Sequence, residues 1–284
     1  IPKRDWSSDV CSSDLVPTMS HTTTRIATRP VPIGELLDAW VAVQRGDFRH
    51  HPAPEATGSA GTGRVWRRAP GEVPVLVAGC AGQVGASTVA LLLAGAAMSG
   101  RVVDCAPASC SGLAGASTAE LGEAGDGWLA GRRDTVRIER RRDQCCDPAL
   151  LPSPLPGEPG RVTVVDAWWE PRQLLDATGW LADLARTCPR VVLVARATVP
   201  GVARLEAAVN LFGPERCWAV VAGPRRWPQP VERSLGARTR QLQTGGRLFA
   251  LPSNPALALS GITTEPLPRT FEARARQLVE GLLP

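Results

Sequence analysis

After about residue 72, short apolar runs alternate with segments of helical length. Strands that are apolar on both faces are typical of a parallel sheet covered by helices on each side. We therefore predict an α/β fold, doubly wound, with a mostly parallel sheet flanked by helices. The predicted strands cover 73–79, 101–106, 162–166, 190–197, 217–223 and 247–252. The predicted helices cover 87–98, 172–186, 202–212, 230–243 and 269–283.

The N-terminal quarter has a different pattern. Asp5 to Leu15 (DWSSDVCSSDL) back-translates into a common short-read sequencing adapter, so residues 1–15 are expected to be an artefact and Met19 the start. Residues 16–71 are polar or rich in Pro and Gly, which predicts a flexible region that ends in a linker. Within it, the spacing of apolar residues predicts one short helix at about 33–46.

Arginine carries almost all of the positive charge. Of 32 basic residues in 284, only Lys3 is a lysine, and tyrosine is absent. Excluding residues 1–15 removes two basic and three acidic residues, so the formal net charge rises from +5 to +6. The scarcity of residues with AT-rich codons indicates a GC-rich bacterial genome. The longest apolar run is too short for a membrane span, and we predict a cytoplasmic protein.

The candidate chemistry lies in the turn after the first predicted strand. A stretch of small residues there joins the strand to a helix, where backbone N–H groups and the helix dipole can hold an anion. Ser87 can also place a hydroxyl on Mg²⁺. A phosphate-binding loop has Lys before that Ser, but here the residue is Ala86. The candidate nucleotide contacts in the loop are Gly82, Gln83, Val84, Gly85, Ala86, Ser87 and Thr88.

Two acidic residues follow later strands. Asp104 lies near the end of the second predicted strand and Asp166 ends the third. Ligand sites of such sheets lie at the carboxyl ends of the strands. Asp104 and Asp166 therefore complete the candidate cofactor site, with Ser87 and Asp166 as the candidate metal ligands.

These motifs together resemble the ParA/MinD family of deviant Walker ATPases, over roughly residues 72–284. The family loop KGGxGK[ST]T is matched by AGQVGAST at 81–88, with both lysines replaced, at Ala81 and Ala86. The family motif D-x-D-P is matched at 104–107, with Ala106 in place of its second Asp. Asp166 matches the Walker B acid, and 251–268 resembles the stretch near the base pocket.

The resemblance implies a P-loop NTPase-like fold, with ATP and Mg²⁺ as cofactors. The chain departs from the family where the family carries charge, and losing such charges costs several kcal/mol of transition-state stabilisation. We therefore assign no catalytic residue and expect no efficient hydrolysis; an active form would be a weak ATPase.

Three hypotheses remain open from the sequence. The first is a degenerate, non-hydrolysing or weakly nucleotide-binding scaffold that positions or regulates a bacterial assembly for secretion, conjugation, pilus formation or partition, with a protein partner. The second is a weak ATP-dependent switch that forms a homodimer and binds DNA. The third is a doubly wound domain whose Gly-rich turn is purely structural. Trp168 and Trp169, next to Asp166, either stack on a ligand or pack inside the domain.

Overall fold

The computed structural model describes residues 65–98 and 100–283, together with four separate positions of the N-terminal region. Those positions are helical, lie inside the predicted helix at 33–46, and are Gly34, Asp38, Trp40 and Val41. The remainder of that helix, the adapter-like segment and nearly all of the linker lie outside the described residues.

The second of the chain's two compact units, Ala60–Pro284, contains a nine-stranded sheet in the order β3-β4-β5-β2-β6-β1-β7-β8-β9. Seven neighbouring strands, from β5 to β9 in that order, run parallel, and β4 is antiparallel to both of its neighbours. The strands are β1 (Val73–Gly79), β2 (Arg101–Asp104), β3 (Ala119–Glu123), β4 (Trp128–Arg133), β5 (Val136–Arg141), β6 (Val162–Asp166), β7 (Val191–Arg196), β8 (Cys217–Gly223) and β9 (Leu248–Pro252).

Helices cover both faces of this sheet. Along β1, Leu76 and Ala78 face one apolar core, whereas Val75 and Val77 face the other. This two-sided burial explains why the strand is a continuous apolar run. The α-helices are α1 (Ala86–Ala96), α2 (Pro171–Asp176), α3 (Trp180–Thr187), α4 (Val199–Phe212), α5 (Gln229–Arg233), α6 (Ala237–Thr244), α7 (Pro255–Ser260) and α8 (Arg269–Leu282).

The predicted fold class is confirmed, but the prediction of elements was wrong in four places. The short helix α7 was not predicted. The helix predicted at 172–186 is two helices, because Gly179 has a φ of +96° between them. The helix predicted at 230–243 is also two, with an interruption at Ser234–Gly236. The hairpin formed by β3, β4 and β5 was missed, since its charged residues hide the apolar alternation: all of β3 is exposed.

A buried ion cluster fixes the amino edge of the sheet. The Arg101 guanidinium, at the start of β2, donates to Glu72 at 2.9 Å and to Glu139 at 3.0 Å. These three side chains are at most 7% exposed. Arg137 also donates to Glu139, at 2.7 Å, but its side chain is 43% exposed. The cluster balances two acids with two cations and joins the residue before β1 to strands β2 and β5.

Replacing Arg101 by Met should destabilise the fold by about 3–5 kcal/mol, because Glu72 and Glu139 would stay buried without their shared cation. Urea unfolding measures this loss. The matched control is Arg137→Met, which removes the exposed partner of the same Glu139 and should cost less than about 1 kcal/mol. Equal losses in the two variants would contradict a role for burial.

Candidate functional site

The loop between β1 and α1 has the backbone of an anion site. Gly85 has a φ of +96° and precedes the first residue of α1, and Gln83 has a φ of +57°. No side chain caps the helix. Among the described residues, no N–H group from Ala81 to Ser87 donates a hydrogen bond to a protein acceptor. The loop therefore presents free donors at the positive end of a helix dipole.

The positive charge next to this loop comes from another strand. At the end of β7, the Arg196 guanidinium donates to the Gln83 carbonyl at 3.0 Å. Arg196 is exposed. Ala81 and Ala86, at the positions of the two missing lysines, are partly buried alanines. Sequence analysis missed Arg196, because it is distant in the chain and belongs to no motif; its place at the carboxyl end of a predicted strand was the available signal.

Asp104 and Asp166 lie side by side at the carboxyl edge. The parallel register pairs Asp104 of β2 with Asp166 of β6, and Asp166 with Val77 of β1. Asp104 is fully buried and Asp166 is 2% exposed. The sequence prediction that these two acids meet at the sheet edge agrees with this geometry; their role in binding stays a prediction.

Burial raises the pKa of both carboxyl groups. For Asp166 the pKa rises to about 7, because the site is desolvated and the Asp104 charge is adjacent, although hydrogen bonds from the Ser87 hydroxyl and the Trp168 N–H oppose the rise. For Asp104, burial also raises the pKa, against hydrogen bonds from the Ser111 hydroxyl and the Ala106 N–H. Desolvation and the proximity of the two carboxyl groups therefore both disfavour two negative charges at this site.

The segment after β2 covers the pair and the start of α1. The Ser111 hydroxyl donates to Asp104 Oδ2 at 2.5 Å, and the Ala106 N–H donates to Asp104 Oδ1 at 3.0 Å. A Cβ added to Gly112 would lie 2.7 Å from Ser87 Oγ, so Gly112 lies directly against this hydroxyl. The methyl group of Ala106 is buried where the resembling family carries an acid. The segment was not predicted to be part of the site.

Trp168 forms a strained turn beside Asp166. Its φ is +63°, and the Trp169 N–H donates to the Ala167 carbonyl at 2.7 Å, so Trp168 is the centre of a left-handed γ-turn, a rare and strained turn. Its side chain is 40% exposed. Trp169 is 4% exposed, and its indole N–H donates to the Cys146 carbonyl at 3.0 Å. Trp169 therefore packs inside the domain, whereas Trp168 presents an aromatic surface.

The remaining predicted residues of the site are also placed by the structure. Gly82 and Gln83 are exposed at the tip of the loop, Val84 is buried beneath it, and Thr88 lies in the first turn of α1. The stretch 251–268 forms the end of β9, α7 and the approach to α8. Within residues 65–98 and 100–283 there is no cluster of three His, Cys, Asp or Glu residues that could hold a metal ion.

Comparison with known proteins gives fold likenesses only. No protein-family model and no curated protein matches the sequence. Similar solved structures include a protein assigned to plasmid partition in Borrelia burgdorferi, bound to AMPPNP (TM-score 0.44), apo McdA of Cyanthece (0.45) and the MinC:MinD cell division complex of Aquifex aeolicus (0.46). Each is 11% identical over 75%, 75% and 74% of this chain, and over 98%, 100% and 96% of its own.

These sequence identities and TM-scores are too low to support an inference about a ligand or a partner of this chain. In the part of the chain that the structure describes, no helix has the length and apolar character needed to cross a membrane.

The raised pKa of Asp166 makes stability depend on pH. In the native state the group keeps its proton up to about pH 7, but the unfolded group loses it near pH 4. The native state therefore binds more protons between these limits, and stability falls as pH rises through this window. Asp166→Asn should remove this slope. Urea unfolding at about pH 5, 6, 7 and 8 measures it against the exposed control Asp126→Asn.

Asp104→Asn separates the causes of this shift. Without the neighbouring charge, the pKa of Asp166 should fall, and the slope should move to lower pH. An unchanged slope in Asp104→Asn would mean that the two carboxyl groups do not interact.

Proposed function

We propose that this chain is a degenerate ParA/MinD-like protein: a non-hydrolysing or weakly nucleotide-binding scaffold that positions or regulates a bacterial assembly. The order of the motifs supports this family assignment. A Gly-rich loop follows β1, an acid ends β2, a second acid ends β6, and the register brings them together at one edge. The same order of loop and acids is found in the ParA/MinD family, which the sequence resembles.

The observation that carries the non-hydrolysing role is the loss of charge around retained acids. Ala81, Ala86 and Ala106 occupy the three positions where the family has charged side chains. Developing charge on a transferred phosphoryl group needs cations fixed at its oxygens, and each such group contributes several kcal/mol. The Arg196 guanidinium donates to the Gln83 carbonyl at the tip of the loop. This contact is with a carbonyl oxygen and not with the free N–H groups that would face a phosphate. The site therefore favours binding without turnover.

The internal hydrogen bonds of the site support weak nucleotide binding. The Ser87 hydroxyl is close enough to Asp166 to lower the pKa of that carboxyl group, and Gly112 lies against the hydroxyl. A phosphate could still be held by the free N–H groups of the loop. Ser87 and Asp166 supply oxygen ligands, which fit Mg²⁺. Because the pKa of Asp166 is about 7, holding the ion requires removal of a proton. Bound Mg²⁺ would neutralise phosphate charge.

A protein partner fits the surface around the loop. The strands β6 and β7 flank β1, and the segments after them expose Trp168 (40%) and Val199 (43%). Aromatic and aliphatic side chains that protrude from a rigid edge are suited to an interface. We propose that this edge, in a cytoplasmic protein, meets the partner or a second copy of the chain.

The alternative of a weak ATP-dependent switch that binds DNA is favoured by the arginines. Arg196 lies at the loop, and Arg225 and Arg226 are exposed after β8, at the same edge. Arginine can take the place of lysine as a phosphate ligand. This alternative requires measurable ATP binding and DNA binding with a steep salt dependence.

Titration of the full chain with ATP–Mg²⁺ by calorimetry tests the proposal. We expect binding no tighter than about millimolar and no hydrolysis above background. Ala86→Lys restores a cation in the loop and should tighten binding by about tenfold or more. The matched control, Ala97→Lys, adds the same charge at the far end of α1 and should leave binding unchanged.

Two results would overturn the proposal. Hydrolysis by the wild-type chain that Gly85→Trp or Asp166→Ala abolishes would establish an enzyme. A loop that gains nothing from Ala86→Lys, in a folded variant, would indicate a purely structural turn.

A further inference from the structure

A cleft lies far from the loop, between the end of α1, the β4–β5 turn and the segment before α8. Its volume is about 430 Å³, within the range of small-molecule sites. The walls include the buried apolar residues Leu91, Leu92 and Val136, together with the half-buried Leu267. Nothing in the proposed function uses this cleft.

A buried cation forms part of the same cleft. Arg133, at the end of β4, is 6% exposed. Within the described part of the chain no carboxylate lies within ion-pair distance of it. Its guanidinium donates instead to three backbone carbonyl groups, at Ala116, Thr263 and Glu265. A guanidinium has five N–H donors and a full charge at any physiological pH, so these carbonyl groups satisfy part of its donors and their dipoles offset its charge only in part, without supplying a counter-ion.

The acids near the cleft stay at its rim. Asp134 and Glu272 are exposed, as is Arg276. Buried charges in proteins are ordinarily paired. The cleft thus combines an apolar wall with an interior cation that lacks an anion, and both features point to the same kind of ligand.

We propose that this cleft binds a small amphipathic carboxylate, with its apolar chain against Leu91, Leu92 and Val136 and its carboxylate on Arg133. The apolar part would displace water from the wall, and the carboxylate would supply the missing counter-charge. This site is separate from the nucleotide-type loop and does not depend on the proposed function.

The site is connected to the loop through one segment. Arg133 holds the Ala116 carbonyl, and the same segment places Gly112 against Ser87. A ligand bound to Arg133 would therefore contact the residue that also holds, through Ala116, the segment that covers the candidate nucleotide site.

Calorimetric titration of the full chain with decanoate tests the proposal, with 1-decanol as the neutral probe of equal length. We expect saturable single-site binding of decanoate and binding of 1-decanol weaker by roughly tenfold or more. Ala96→Phe places a ring in the cleft, which Ala96 lines, and should abolish binding. Ala97→Phe, at the neighbouring partly buried alanine that does not line the cleft, should leave binding intact.

Arg133→Gln should make the affinities for the two probes equal. If Arg133→Gln does not fold, the Ala96→Phe and Ala97→Phe pair still decides whether the cleft is the site. The proposal is overturned if the wild-type chain does not bind decanoate, if 1-decanol binds equally well, or if Ala97→Phe loses as much affinity as Ala96→Phe.

Discussion

The register between β2 and β6 is the constraint on which the candidate site depends. It pairs Arg101 with Thr163 at the amino edge and Asp104 with Asp166 at the carboxyl edge. β2 has only four residues. Its first residue, Arg101, and its last, Asp104, are both charged and both buried. A slip by one residue would remove the partners of Arg101 and send the Asp104 side chain to the other face of the sheet. The ion cluster at one edge therefore supports the acid pair at the other.

Elements that depend on the local sequence pattern could be predicted from the sequence. Elements and site residues that depend on tertiary contacts were missed. Six of the seven parallel strands were found, because burial on both faces leaves a continuous apolar run. The hairpin was not, since strands such as β3 carry Glu120, whose pairing with Arg140 is visible only in three dimensions. In the site, the loop and the two acids follow strands and could be predicted. Arg196 and Gly112 come from segments that no motif marks.

Arginine side chains donate hydrogen bonds to backbone carbonyl groups at places where segments of the chain meet. The Arg216 guanidinium donates from one nitrogen to the carbonyls of Ala185, Arg186 and Cys188, and Arg247 does the same for three carbonyls beside β8. A planar fork of donors can satisfy several carbonyl groups where segments meet, and an ammonium group offers less geometric order. The lack of lysine after Lys3 is therefore compatible with a well-satisfied fold, although it leaves the loop without its usual cation.

The γ-turn at Trp168 has a thermodynamic consequence. A bulky residue in the left-handed region stores about 1–2 kcal/mol, and this reserve lies next to Asp166 on the exposed edge. Any contact that lets Trp168 relax to a negative φ would regain that energy, which corresponds to a shift of roughly 5- to 30-fold in the populations of two backbone states. The turn is thus a strained segment at the rim of the site. A ligand or protein that contacts the Trp168 indole would therefore be coupled to the conformation of the backbone that follows Asp166.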